Sequence, residues 1–180
     1  MVLLLMPKSK VNLQFEKLES TRMKLWSRLR DLDNSILQFR PANDKWSILQ
    51  ILFHLNSSES NSVKYIRKKS QGGSSIPKSS FISSLKSFVL SAALRFLKWK
   101  KPAVLPDPPE NLSTSEVINT WNETRIQLKQ LLEKLPDDML DRNIFRHPAA
   151  GRINMKDALK FMQDHFDHHL KQIEERIEAK

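Results

Sequence analysis

The chain lacks cysteine, and it has only three glycines and one tyrosine among its 180 residues. Without cysteine it has neither disulfides nor thiolate ligands, so any metal site must use nitrogen or oxygen donors. This absence is also compatible with a reducing cytoplasm. The scarcity of glycine and the lack of any Asn-Gly or Asp-Gly pair leave little that is typical of β-hairpins, whereas the apolar spacing repeatedly fits a helix. We therefore predict an all-α domain.

Several catalytic motifs are also missing. The sequence contains no glycine-rich phosphate loop, no Gly-x-Ser-x-Gly elbow and no Cys-x-x-Cys pair, so it gives no support to nucleophilic catalysis by serine or cysteine. His165 and His169 do not complete the His-Glu-x-x-His motif of zinc peptidases, because Phe166 stands where that motif has its glutamate. A peptidase is not indicated.

Length and composition suit one globular domain. With 180 residues, 39% hydrophobic and 28% charged, the chain is long enough to bury a single core. We assign residues 1–9 to an N-terminal extension and residues 10–180 to the domain. The apolar run Met1–Met6 has no basic flank before it and ends at Pro7, so it is too short for a signal-peptide core or a membrane span. We expect a soluble, cytoplasmic protein.

Helical periodicity predicts four long helices. In the first helix, the apolar spacing of three and four residues is broken only at Arg22. Each of the other three begins with a pair of capping residues: Ser47 with Gln50, Ser113 with Glu116, and Asn154 with Asp157. The predicted helices are Val11–Leu37, Ser47 to about Lys69, Thr114–Leu135, and Met155 to nearly the C-terminus. A long crossover between helices two and three makes this a predicted four-helix bundle.

The crossover carries the excess positive charge of the chain. Residues Ser60–Pro106 include ten Lys or Arg and no Asp or Glu, within a net charge of +10. A short amphipathic helix, Phe81–Trp99, is predicted inside it. Such a stretch can attract phosphates, anionic lipid or an acidic partner, although a solvated surface is the more common role of a basic run. A polar loop holding His147, Pro148 and Gly151 is predicted before the last helix.

Three of the five histidines are spaced like a metal site. His165 and His169 are four residues apart, so their side chains project from one helix face and can converge on one ion. Both lie on the flank of an apolar stripe, and His54 borders the stripe of helix two. His168 points away and is expected at the surface or in a supporting position. An isolated histidine is more often an ordinary half-buried side chain, and that role stays open for each of the three.

The chain resembles the DinB-like (YfiT-type) metal-dependent hydrolases. The resemblance is carried by three blocks: Lys45–Leu55, reading KWSILQILFHL; His147-Pro148 with Gly151; and His165–Ile173, reading HFDHHLKQI. It spans residues 10–178, and the basic stretch Ser60–Pro106 is where the match is weakest. The resemblance implies a four-helix bundle with an up-down-down-up-like arrangement and a divalent metal site on His54, His165 and His169.

The resemblance also bears on chemistry. Zinc and nickel are the common metals of the family, and its relatives include thiol-dependent transferases and isomerases that use a low-molecular-weight thiol cofactor. It further implies a homodimer. The leading hypothesis is therefore a metal-dependent hydrolase or thiol-dependent transferase acting on a small-molecule substrate. Glu59 or Asp167 is a candidate to orient a ligand histidine, and Trp46 is a candidate to wall a pocket beside helix two.

The alternative hypothesis comes from another class of function. In it the histidines are structural, and the basic stretch Ser60–Pro106 docks an anionic membrane or nucleic acid. The sequence contains no helix-turn-helix and no base-reading motif, so no specific nucleic-acid partner is predicted. We rank peripheral membrane contact below the metalloenzyme.

Overall fold

Four long helices carry most of the fold in the computed structural model, which describes residues 7–79, 107–147 and 151–179. In chain order the elements are α1 (Pro7–Leu29), α2 (Asn34–Gln38), α3 (Ile48–Ser70), a 3₁₀ turn (Gly73–Ser75), α4 (Thr114–Lys134), α5 (Asp137–Leu140), β1 (Phe145–His147), β2 (Gly151–Ile153) and α6 (Met155–Glu178). Helix α3 packs against α2, α4 and α6, and α1 packs against α4, α5 and α6. The prediction of an all-α fold class is confirmed, with only a small two-stranded sheet added.

The first predicted helix, Val11–Leu37, is wrong beyond Leu29, because it is not one continuous helix. Helix α1 ends at Leu29, and a separate short helix, α2, follows. The break falls in the segment 30–33, where Asp31 and Asp33 flank Leu32 and Asp33 adopts φ −60° and ψ 144° just before α2. Asp and Asn favour such boundaries because their side chains compete for local backbone hydrogen bonds. The turn lets both Leu29 and Leu37 reach the core, where each is buried.

The predicted starts of the last three long helices agree with the structure, whereas α1 begins at Pro7 and not at Val11. At Ser47 both arms of the capping box form: the Gln50 backbone N–H donates to Ser47 Oγ (3.2 Å), and the Ser47 N–H donates to Gln50 Oε1 (3.0 Å). Asn154 caps α6 by accepting the backbone N–H of Asp157 at 2.9 Å. These caps satisfy backbone donors that the first helical turn leaves unpaired. They fix where α3 and α6 begin, and therefore which side chains face the interior.

The predicted polar loop before the last helix contains a β-hairpin instead. Strands β1 and β2 pair in antiparallel register, with Phe145 opposite Ile153 and His147 opposite Gly151. Phe145 and His147 are buried while the residue between them is exposed, which is the period-two pattern of a strand. Three residues are too few for that alternation to be recognised in the sequence.

Two clusters of buried apolar side chains fill the interior of the described chain. One of them includes Trp121 of α4 with Phe166 and Ile173 of α6, all without exposed surface. These two α6 residues belong to the stripe on whose flank His165 and His169 lie. Packing of the stripe therefore sets the rotation of α6 about its axis and, with it, the direction in which the two histidines project.

The crossover is described only in part. After α3, the backbone N–H of Ser79 donates to Asp141 O (2.7 Å) and that of Asn143 donates to Pro77 O (2.9 Å), which attaches the start of the crossover to the chain around α5 and β1. The predicted short helix Phe81–Trp99 lies outside the described residues. Among the helices that are described, none combines the length and the apolar character that a membrane crossing needs.

Candidate metal centre

His54 of α3 meets His165 and His169 of α6 inside the helical assembly. The Nε2 atom of His165 lies 3.2 Å from Nε2 of His54 and 3.1 Å from Nε2 of His169. One ring nitrogen from each residue lies within 4.8 Å of those of the other two. His54 and His169 are buried and His165 is half-buried. The structure thus brings together the three residues that the sequence singled out, from helices far apart in the chain.

The spacing of these nitrogens suits a single divalent ion. Two nitrogens bound to one tetrahedral ion at about 2.0–2.1 Å lie about 3.3 Å apart. The two closest pairs of the triad are already near that separation. Three nitrogen ligands leave one tetrahedral position for water or substrate, which distinguishes a catalytic zinc-type site from a closed structural one. The residues present therefore fit a metal with one open position.

The environment keeps His165 and His169 in the form that binds metals. Burial lowers the pKa of His165 well below its ordinary value, and the neighbouring His169 and His54 lower it further. Burial, with a further contribution from nearby His54, lowers the pKa of His169 to about 3. A neutral imidazole has a lone pair free for a metal, whereas a protonated one does not. Protons therefore compete weakly for these nitrogens near neutral pH.

Aromatic rings surround the triad. Trp46 packs on His54 with ring centroids 5.0 Å apart, which agrees with its predicted place beside helix two. Phe161 lies parallel to His165, with centroids 6.0 Å apart and planes 5° from parallel. His147, at the end of β1, contacts the other side of this aromatic group, with its ring 4.3 Å from Phe161. Apolar walls of this kind exclude water from the ligands and hold their rings in place.

His147 is a polar residue next to this wall whose position the sequence did not predict. Its side chain is buried, and burial lowers its pKa to about 4. It stands one aromatic ring away from the triad. The sequence placed it in a polar loop, because the strand that buries it was too short to recognise.

Gln172 is a polar side chain within hydrogen-bond distance of a triad residue. Its Oε1 atom lies 3.1 Å from His169 Nδ1, and its Nε2 atom lies 3.4 Å from Nε2 of the half-buried His168. The supporting position predicted for His168 is thus realised through Gln172. The sequence offers one signal for this contact, since residues three apart on a helix are neighbours, but that spacing is too common to single out one glutamine.

The two carboxylates predicted as candidates to orient a ligand histidine have other partners. Glu59 is buried and accepts hydrogen bonds from Arg125 and from Trp121 Nε1, the latter at 2.8 Å. Asp167 is exposed and accepts from Gln163 Nε2 at 2.8 Å. Glu59 therefore belongs to a separate polar cluster between α3 and α4, and Asp167 to the surface of α6.

Comparison with known proteins agrees with this geometry. The family model of the DinB superfamily matches residues 17–173. The chain is also similar to the uncharacterised protein YuaE of Bacillus subtilis (strain 168), with 25% identity over 161 residues, covering 87% of this chain and 94% of that protein. The span matched by the family model contains all three histidines of the triad.

Proposed function

This chain belongs to the DinB superfamily, and from that premise we propose that it is a metal-dependent enzyme acting on a small molecule. His54, His165 and His169 hold a divalent ion, zinc or nickel. The reaction is a hydrolysis or the transfer of a low-molecular-weight thiol. The observation that carries the proposal is the convergence of three imidazole Nε2 atoms, with neighbouring nitrogens 3.1–3.2 Å apart, in one site.

Each part of the site has a role in this proposal. The three rings hold the ion by Nε2, and Trp46 and Phe161 shield them from bulk water. A divalent ion with an open position supplies Lewis acidity, which lowers the pKa of a bound water or thiol towards neutrality and makes it a nucleophile at physiological pH. The described residues near the triad provide apolar surface, which suits a small substrate with an apolar part.

Metal content tests the proposal directly. Untagged protein is reconstituted with zinc or nickel, freed of loosely bound metal, and measured by inductively coupled plasma mass spectrometry. We expect near-stoichiometric metal in the wild type and in Lys171→Ala, a matched control that removes an exposed side chain from the same helix turn. We expect the metal to be lost in His169→Ala while the helical circular dichroism is kept. Equal metal in His169→Ala and wild type contradicts the assignment.

The reaction class needs a separate test. Metal-loaded wild type is assayed with hydrolase substrates and, in the presence of low-molecular-weight thiols, with electrophilic acceptors. A turnover that requires the metal and is absent in His169→Ala supports the enzyme, and its dependence on thiol separates the two reactions. Absence of turnover in both assays with fully loaded protein counts against either reaction.

We further propose a homodimer, which light scattering on the purified chain tests.

The basic stretch Ser60–Pro106 motivates a second proposal, a non-enzymatic module for an anionic membrane or nucleic acid. The described part of this stretch places Arg67, Lys68 and Lys69 together in the last turn of α3. Binding driven by phosphates weakens steeply with added salt. Retention on anionic vesicles or DNA at low ionic strength that is lost at higher salt supports this module, and no retention at low ionic strength opposes it.

A further inference from the structure

We propose that Gln172 is a positioning residue that fixes His169 in the tautomer able to bind a metal. This inference rests on the proposed metal site and deepens it, since it names the residue that prepares one ligand before an ion arrives. The positioning acts through a single side-chain amide, which lies between His169 and His168 on the same face of α6.

Two contacts define the position of this amide. Gln172 Oε1 lies 3.1 Å from His169 Nδ1, and Gln172 Nε2 lies 3.4 Å from His168 Nε2. Gln172 is three residues after His169 and four after His168, so all three side chains meet on adjacent turns of the helix. The oxygen of the amide therefore faces the ligand, and its nitrogen faces the neighbour that is not a ligand.

The direction of the hydrogen bond fixes the proton on His169. An amide oxygen only accepts, so Nδ1 of His169 must donate to it and must carry the one proton of the neutral ring. The other nitrogen, Nε2, then keeps its lone pair. That atom lies 3.1 Å from Nε2 of His165, inside the triad. The hydrogen bond thus leaves the lone pair where an ion is to be bound.

The opposite orientation of the amide has the opposite result. If Gln172 turned its NH₂ group towards His169, Nδ1 would have to accept, and the ring proton would move to Nε2 and block the metal position. In the orientation present in the structure, the amide nitrogen lies 3.4 Å from Nε2 of His168, which can accept from it when that ring nitrogen carries no proton.

A neutral amide at this position also adds no negative charge beside the ion. Metal-binding histidines often donate their second N–H to a carboxylate, which adds a negative charge beside the metal and raises ligand basicity. Gln172 supplies the same orientation without that charge. An ion on this ligand is therefore a stronger Lewis acid than one supported by a carboxylate, which suits the activation of a bound water or thiol.

Two substitutions at the same position separate positioning from simple packing. Gln172→Leu keeps a side chain of similar size but cannot accept the Nδ1 proton. Gln172→Glu keeps an acceptor and removes the amide donor. We expect zinc affinity, measured by competition with a chromophoric chelator, to fall about 10–100-fold in Gln172→Leu. In Gln172→Glu we expect affinity equal to or higher than that of the wild type, because a carboxylate accepts from Nδ1 more strongly.

A second readout needs no metal. The ¹⁵N chemical shifts of the His169 ring in metal-free protein report which nitrogen carries the proton. We expect the Nδ1–H form in wild type and in Gln172→Glu, and a substantial Nε2–H population in Gln172→Leu. Thermal unfolding of the metal-free variants checks that the fold is intact.

The outcomes distinguish this inference from the proposed metal site. If wild type and Gln172→Leu bind zinc equally, or if Gln172→Glu is weakened as much as Gln172→Leu, the positioning role is wrong while the metal site stands. If the wild type binds no metal, the metal site is wrong, and the ¹⁵N shifts still decide whether Gln172 sets the tautomer. An Nε2–H form of His169 in metal-free wild type overturns the inference in either case.

Discussion

The helical interior contains two polar clusters whose chemistry differs. The first joins α1, α3 and α4, where Glu59 accepts from Arg125 Nε at 2.8 Å and from Arg125 Nη2 at 2.7 Å in a bidentate ion pair. The second is the histidine triad between α3 and α6, in which three nitrogens face one another. In the first cluster each charge meets an opposite charge from the chain. In the second, the groups that face one another are imidazole nitrogens, which can supply lone pairs to a cation.

The first cluster extends to the one interruption in the apolar stripe of α1. Arg22 is buried there, pairs with Glu19 and donates to Asn122 Oδ1 at 2.6 Å. Arg125 also approaches Glu19, at 3.5 Å. Buried charges are tolerated when they are paired and hydrogen-bonded, so this cluster is complete without a ligand. A buried cluster in which every charge is paired is structural, whereas a cluster of imidazole nitrogens with lone pairs is suited to bind a cation.

The largest expected effect comes from removing a ring of the triad. In His165→Ala the two remaining nitrogens lose the ligand that lies between them, and we expect zinc affinity to fall by more than the about 100-fold upper effect of losing a supporting contact. The metal-free variant should unfold at nearly the same denaturant concentration as wild type, because the ring that is removed is half-buried. Isothermal titration with zinc and urea denaturation measure the two effects. A large loss of metal-free stability with unchanged zinc affinity would show that the triad is structural and does not bind the ion.

The next effect is at the ion pair. Glu59→Ala leaves the buried Arg125 without its bidentate partner, and breaking a buried pair costs about 3–5 kcal/mol in the free energy of unfolding. We expect this loss in urea denaturation, with metal stoichiometry unchanged in the folded protein. Glu16→Ala, which removes an exposed glutamate from α1, is the matched control and should change stability little. Loss of metal in folded Glu59→Ala would show that the clusters are not independent.

Acid should weaken the part of the interior that contains buried histidine. Burial lowers the pKa of His147 from its ordinary 6.5 to about 4. Between these values the unfolded chain binds more protons than the folded chain. His147 therefore makes its full contribution to the free energy of unfolding of metal-free protein above pH 6.5, and this contribution is lost as the pH decreases towards 4. One such residue accounts for about 1 kcal/mol at about pH 5.5.

His147→Gln tests this pH dependence. Urea denaturation at about pH 7.5 and about pH 5.5 should give a smaller difference in the variant than in the wild type, by about 1 kcal/mol. His165, His168 and His169 contribute to the residual difference, because their pKa values are lowered in the same direction. An unchanged difference in the variant would mean that His147 titrates alike in the folded and unfolded chain.

The smallest effect is expected outside both clusters. Ser47→Ala removes the hydroxyl that accepts from Gln50 at the start of α3, and loss of such a cap costs about 1 kcal/mol. Zinc affinity should be unchanged, because His54 lies beyond the first turn of the helix. Thermal unfolding and zinc titration test the two statements. A drop in affinity as large as that of a triad variant would show that helix ends, rather than the local contacts, position the ligands.

Sequence reasoning succeeded where the pattern was local and repeated. The caps at Ser47 and Asn154 and the long helices follow from spacing within a few residues, and the pair His165 and His169 follows from the helical repeat. The third ligand, His54, is 111 residues away from His165; its place beside an apolar stripe made it a candidate, and the family resemblance supported it.

The failures have equally physical causes. The partner of Glu59 is 66 residues away in the sequence, so no local rule could distinguish a carboxylate that binds an arginine from one that supports a histidine. The hairpin strands have three residues each, which is too short for a period-two pattern. Helix α2 was missed because the apolar spacing continues through Leu32 and Ile36 across the break, while the chain turns next to Asp31 and Asp33. Gln172 was missed because a common spacing has no diagnostic value until the rings beside it are located.

An ion bound by the triad would crosslink the two helices that supply the histidines, α3 and α6. His54 and His165 are 111 residues apart, so one ion held between them closes a loop that contains all of the crossover and helix α4. A crosslink over about 100 residues stabilises a fold by roughly 5 kcal/mol through the entropy of the unfolded chain. Unlike a disulfide, this metal crosslink is removed by a chelator and needs no oxidant to form. In a chain without cysteine, metal supply would then set the resistance of the whole fold to unfolding and proteolysis.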